Sequence, residues 1–176
     1  GMALTNDAEL AQKMDLFRSH GVTRNQDLMS KAPEGPWYYQ QVDLGFNYRM
    51  TELQAALGVS QMQRLEQFVA KRHEIAETYN QILKDLPVVL PYQLPETYSG
   101  LHLYVIRLKL DEINKTRKEV FELLREKGIG VNVHYIPVHT QPYYENFGFK
   151  PGDFPEAESY YAEAISLPMY PDLTQV

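Results

Sequence analysis

Apolar residues recur at spacings of three and four from position 51 to 86. Leu53, Ala56, Leu57, Leu65, Phe68, Val69, Ile75, Ala76, Tyr79, Ile82 and Leu83 carry the pattern, which is one face of an α-helix. The stretch is too long for one ordinary helix, so a bend is expected at Gly58 or at Ser60-Gln61. Pro87 and Pro91 end it, because proline removes a donor and clashes with the preceding turn. Ahead of this stretch, Met2-Ala3-Leu4-Thr5 is short and apolar and reads as a strand. Asn6 or Asp7 then caps a helix with Leu10, Ala11, Met14 and Phe17 on one face, and Gly21 is placed as its C′ residue. Residues 22–44, with Pro33, Gly35 and Pro36, lack periodicity and read as a long loop.

After residue 91 the period changes to two. Leu101, Leu103 and Val105 alternate with His102, Tyr104 and Ile106, as in a strand. Asn114 is expected to cap a helix bearing Val120, Phe121, Leu123 and Leu124, closed by Gly128. Residues 129–135 read as a further strand. Pro155 suits the N1 position of a last helix with Ala157, Tyr160, Tyr161 and Ala164, and 165–167 form a short strand ending at Pro168. Alternating strands and helices make a small layered domain. The expected class is α/β (α+β), with long helices packed on a small mixed or antiparallel-sheet domain. The expected parts are 1–50, 51–86 as a long connecting helix or helix pair, and 87–176.

Composition narrows the function. The 176 residues are 44% hydrophobic and 23% charged, the balance of a globular chain with length enough to bury a core. A net charge of -6 argues against a nucleic-acid partner. No apolar run is long enough to span a membrane, and no basic-then-apolar leader is seen. Cys is absent, which excludes disulfides and thiol catalysis and fits a cytoplasmic location. Thirteen Tyr and seven Phe make an aromatic load of the kind that marks interfaces as well as cores.

The segment Gly45-Phe46-Asn47-Tyr48-Arg49-Met50-Thr51-Glu52-Leu53-Gln54-Ala55-Ala56-Leu57-Gly58 joins a polar turn to a helix start. Thr51 with Gln54 makes a capping box. Free N–H groups at the helix start form an anion seat, with Asn47 and Arg49 as donors at its rim. Taken alone, the same residues also describe an ordinary capped helix with a solvated Arg.

The wider order of motifs adds to this reading. Thr5-Asn6-Asp7, Phe17-Arg18-Ser19-His20-Gly21, Gly45 to Gly58, Lys71-Arg72 and Tyr79-Asn80 follow one another in the chain. Nearly the whole sequence resembles the DegT-type sugar aminotransferases, which use pyridoxal 5'-phosphate (PLP). Gly130-Val131-Asn132-Val133-His134-Tyr135-Ile136-Pro137-Val138-His139 and Ser166-Leu167-Pro168-Met169 look most like one branch of that family. Its members aminate C4 of a UDP-linked 4-keto-6-deoxy sugar for pseudaminic acid synthesis.

The resemblance implies the carboxy-terminal part of a fold-type I aminotransferase, with 1–50 the tail of a large PLP domain plus a long loop. It implies a homodimer, a nucleotide-sugar substrate and an amino donor, usually glutamate. Each active site would take residues from both subunits, with Asn47 reaching across to the cofactor phosphate of the partner chain and Arg49 beside it. Asn132, Val133, His134 and Tyr135 would contact the sugar nucleotide, and the stretch with His20 would lie near the active-site wall. The catalytic Schiff-base Lys would precede Thr5-Asn6-Asp7, and no Lys of this chain fills its place. The expectation is therefore a fragment inactive alone that does not hold PLP covalently. The alternative is a non-catalytic dimerisation or binding domain of the same descent.

Other chemistry finds less support. His134 and His139 are five apart, but a metal site needs a third and usually a fourth ligand, and none is expected. The pairs Glu156/Glu158 and Asp111/Glu112 read as solvated charges without an acid–base partner.

Overall fold

The computed structural model describes residues 3–174. The chain divides into two compact units, Gly1–Met62 and Gln63–Val176.

In the first unit, α1 (Ala8–Phe17) starts where the Asp7 carboxylate accepts from the Glu9 and Leu10 N–H groups at 2.9 and 3.1 Å. Asp7, one of the two caps offered by the sequence, thus satisfies two orphan donors. The helix ends at Arg18 rather than against Gly21. The backbone leaves the helix early because Phe17, Arg18 and His20 pair with Phe46 and Tyr48, through N–H···O bonds of 2.6, 2.9 and 2.9 Å. Gly21 instead takes φ +67° in the reversal that follows. Residues 22–44 are not a featureless loop. β1 (Val22–Thr23) pairs antiparallel with β2 (Gln40–Gln41), and a 3-10 turn spans Gln26–Leu28. Two-residue strands leave no alternation for a sequence pattern to show. Residues 3–5 are not a strand, and Met2 lies outside the described residues.

The helix α2 (Glu52–Met62) runs straight through Gly58. A lone glycine costs about 1 kcal/mol relative to alanine in a helix, too little to break the ladder. The break falls instead at Gln63-Arg64, where Arg64 has φ -109° and ψ 2°. α2 is exposed almost throughout, with Leu53 85% accessible.

In the second unit α3 (Leu65–Leu83) precedes an antiparallel sheet of β3 (Val88–Val89), β4 (Tyr104–Leu108) and β5 (Ala164–Leu167), in the order β3-β4-β5. Val88 pairs with Leu108, and Val105 with Ser166. Tyr104, Ile106 and Leu108 are the buried set of β4. With Val131, Ile165, Met169, Leu101 and Ala76 they form the core, against which Ile75, Tyr79 and Leu83 of α3 pack.

α4 (Arg117–Glu126) also packs there through Val120, Phe121 and Leu124. Its cap is Thr116, not Asn114. Thr116 and Glu119 exchange side chain and backbone in a capping box, with Thr116 N–H to Glu119 Oε2 at 2.7 Å, and two orphan donors met at once favour it over Asn114. Gly128, at φ +80°, follows as expected. The strand expected at 129–135 shrinks to a single antiparallel bridge, Asn132 with Ser166. After the short α5 (Pro142–Glu145), α6 (Pro155–Glu163) opens with proline in its first turn and runs into β5; Ala164, read as helical, is the first strand residue. The α/β class with small antiparallel sheets is the one expected.

Candidate functional site

Four residues named from the sequence gather at the free edge of β5. Ser166 pairs with Val105 of β4 on one side and with Asn132 on the other. The bridge is two-way: Ser166 N–H donates to Asn132 O at 2.7 Å, and Asn132 N–H to Ser166 O at 3.2 Å. Asn132 then turns its own side chain onto the next N–H, that of Val133, at 2.8 Å. That local bond competes with the ladder and takes the chain off the sheet after one pair.

The turn brings His134 back over β5, where its Nδ1 lies 2.7 Å from Ser166 Oγ. Tyr135 stands edge-on to the His134 ring at 4.6 Å. Asn132 is exposed, Val133 and His134 are half-buried, and Tyr135 is 68% exposed. The patch offers an amide, an imidazole and an aromatic face to a polar ligand. Among the described residues a serine hydroxyl, and no carboxylate, bonds the His134 ring. In the sequence Ser166 is named only as the first residue of the Ser166-Leu167-Pro168-Met169 segment, with no role; its pairing with Asn132 comes from the fold.

His139 faces different company. It is 7% exposed, its Nε2 is 2.8 Å from Glu158 Oε1, and its ring packs against Phe154 at 4.8 Å. Glu158, read as a solvated charge, also accepts the Gly152 N–H at 2.7 Å. The His139 bond first, and the Gly152 bond next, hold its carboxyl below the ordinary value because both favour the charged form. Periodicity on α6 could not reveal a partner nineteen residues upstream. Each histidine thus has its own partner, and among the described residues no three metal-ligating side chains come together.

In the first unit, Asn47 and Arg49 flank the start of α2. A Cβ on Gly45 would fall 2.2 Å from Gly21 N, and one on Gly21 would fall 1.9 Å from Asp43 O, so this crossing requires both glycines. The crossing bridges Ser19 to Asn47, and His20 sits in the same turn with φ +61°. Thr51 and Gln54 form the expected capping box, with Thr51 N–H to Gln54 Oε1 at 3.0 Å and Gln54 N–H to Thr51 Oγ1 at 3.3 Å. Among the described residues the Glu52 and Leu53 N–H groups have no hydrogen-bond partner, which leaves them open to an anion. Asn47 and Arg49 are exposed, and their side chains have no hydrogen-bond or ion-pair partner among the described residues. Glu52 is the one acidic group of that first turn. These donors fit a phosphate such as that of PLP.

The motifs Lys71-Arg72 and Tyr79-Asn80 do structural work on α3. Arg72 donates to Leu101 O at 3.0 Å, Tyr79 OH to Pro168 O at 3.0 Å, and Tyr104 OH to Asn80 Oδ1 at 2.6 Å.

Comparison with known proteins decides the lineage. The model of the DegT/DnrJ/EryC1/StrS aminotransferase family matches residues 1–176. The chain belongs to this family. It is 38% identical to the Bacillus subtilis spore coat polysaccharide biosynthesis protein SpsC, over 99% of this chain and 45% of that protein. It is 35% identical to the UDP-4-amino-4,6-dideoxy-N-acetyl-beta-L-altrosamine transaminase of Helicobacter pylori, over 98% of this chain and 44% of that one. The solved structure of Helicobacter pylori PseC, an aminotransferase involved in the biosynthesis of pseudoaminic acid, superposes with a TM-score of 0.81. That match has 34% identity and covers 97% of this chain and 43% of PseC. The chain thus spans less than half the length of these relatives, and among the described residues no helix is long and apolar enough to cross a membrane.

Proposed function

We propose that this chain is part of a PLP-dependent aminotransferase that moves an amino group, from glutamate, to C4 of a UDP-linked 4-keto-6-deoxy sugar. The observation that carries the reading is the patch at the edge of β5, where the Asn132 amide nitrogen, the His134 Nε2 and the Tyr135 ring surround one bridge. The likeness to the Helicobacter pylori transaminase supports the choice of substrate.

In this reading Asn47 holds the cofactor phosphate with the free N–H groups of α2, and Arg49 adds a positive charge at the rim. When bound, PLP supplies the electron sink for amino transfer. Asn132, Val133, His134 and Tyr135 orient the nucleotide sugar. The Lys that carries PLP in this family belongs to the rest of such an enzyme. Every Lys of this chain is exposed except the half-buried Lys109, and Lys13, Lys71, Lys109 and Lys118 face carboxylates. The bare apolar surface of α2 supports a homodimer.

The test joins this chain to the PLP-domain part of a family member and measures both ligands. Asn47→Ala should weaken PLP retention by about 1.5–3 kcal/mol, the range for a hydrogen bond to a charged group. His134→Ala should leave PLP bound and raise KM or lower kcat/KM for the nucleotide sugar. Unchanged PLP affinity in the first variant, or lost cofactor in the second, overturns the assignment at that position.

A further inference from the structure

The Ser166–His134 contact has a direction. Ser166 is 3% exposed, and among the described residues its hydroxyl makes no hydrogen bond other than the one to His134 Nδ1 at 2.7 Å. Two arrangements fit that distance. If Nδ1–H donates to Oγ, the serine hydrogen is left buried without an acceptor, which is the costly outcome. If the hydroxyl donates to Nδ1, the buried serine hydrogen has its acceptor, and the ring proton lies on the other nitrogen. A neutral imidazole carries one proton, so the second arrangement puts it on Nε2. Nε2 has no partner among the described residues, and the ring is half-buried.

We infer that Ser166 is a positioning residue that fixes His134 as the Nε2–H tautomer, so that the neutral ring meets its ligand as a hydrogen-bond donor and not as a base. The bridge between Asn132 and Ser166 fixes the backbone on both sides of the contact, which sets where the donor points. Its complement is an oxygen acceptor, on either the diphosphate or the sugar of a nucleotide sugar. This last step rests on the reading of His134 as a substrate contact; the tautomer does not.

The experiment uses the 176-residue chain labelled with nitrogen-15 histidine, with long-range proton–nitrogen correlations recorded where the ring is neutral. The expected result is a proton on Nε2 and an Nδ1 resonance displaced from that of a free acceptor imidazole. Ser166→Ala should return Nδ1 to the free position and admit the Nδ1–H form, and Ser166→Thr should restore the original signature. An Nδ1–H tautomer in the unaltered chain, or an undisplaced Nδ1 there, overturns the inference even if Ser166→Ala fails to fold. UDP and N-acetylglucosamine are then added separately. Movement of the Nε2–H signal with UDP assigns the acceptor to the nucleotide diphosphate, and movement with the sugar assigns it there. Movement with neither overturns the donor role while leaving the tautomer standing, so the two failures are told apart.

Discussion

Replacing Asn80 with alanine should cost more than replacing Tyr104 with phenylalanine, although both break the same 2.6 Å hydrogen bond. Tyr104 is 1% exposed, whereas Asn80 is half-buried. Tyr104→Phe removes the donor and leaves an amide that can reach water, so the loss should be about 0.5–1.5 kcal/mol, the net worth of one hydrogen bond. Asn80→Ala leaves the hydroxyl inside without its acceptor, and the desolvation penalty raises the loss to about 1–3 kcal/mol. The double variant should cost less than the sum of the two, because each single variant already breaks the bond. The assay is equilibrium urea unfolding followed at the amide signals of β4 and β5. A cavity of about 90 Å³ lined by His73, Glu77, Asn80 and Tyr104 lies beside the pair. If water entering it serves the stranded hydroxyl, the two single variants will cost the same, and equal costs would refute the argument. Burial also pushes the Tyr104 hydroxyl up to about 12 from its ordinary 10.0. Its contribution to stability is therefore whole below pH 10 and lost as the pH rises through about 12, and Tyr104→Phe should remove that part of the alkaline decline.

Thr116→Ala should destabilise the second unit by about 1 kcal/mol through loss of the α4 cap, read from the same urea curves; a change within error would mean that the capping box does not hold the helix start. Glu158 is held below its ordinary value by His139 and Gly152, so its contribution is present above the unfolded value and fades as the pH falls through the folded one. Glu158→Gln should flatten that acid limb in stability measured against pH, and an unchanged limb would dismiss the pairing as a source of stability. Incubating the chain with PLP, reducing with borohydride and mapping the product by mass spectrometry should find no specific Lys adduct; modification concentrated on one Lys would show that this chain supplies its own cofactor lysine.

Elements whose signals are local were legible in the sequence. Asp7, Thr51 with Gln54, and Pro155 all mark helix starts, because the cap and the helix it serves lie within four residues of each other. The β5 strand was legible too, as a short apolar run cut by Pro168. What failed depended on partners distant in the chain. The early end of α1 is set by Phe46 and Tyr48, and β1 exists only because Gln40 and Gln41 reach it. The cap of α4 shows a nearer competition: Asn114 and Thr116 both suit an N-cap, and the reciprocal bond with Glu119 selects Thr116. At Gly58 a weak propensity was given more weight than an unbroken hydrogen-bond ladder could lose.

The candidate site divides in the same way. The turn 132–135 was named through the family resemblance, and the residues ahead of Thr51 through that resemblance and the helix start; each is a continuous run of chain. What gives the patches chemical direction lies elsewhere in sequence. His134 as an isolated letter is a base, a donor or a core residue; its bond to Ser166, thirty-two positions on, separates these roles by deciding which nitrogen bears the proton. His139 makes the complementary case. It has the same ring five residues later, yet Glu158 occupies its Nε2 and burial closes it off, so it serves to fasten α6 and the loop holding Gly152. In the proposed reading, two histidines of one motif divide into a substrate contact and a clamp, and the division is made by a hydroxyl and a carboxylate that no spacing within the motif encodes.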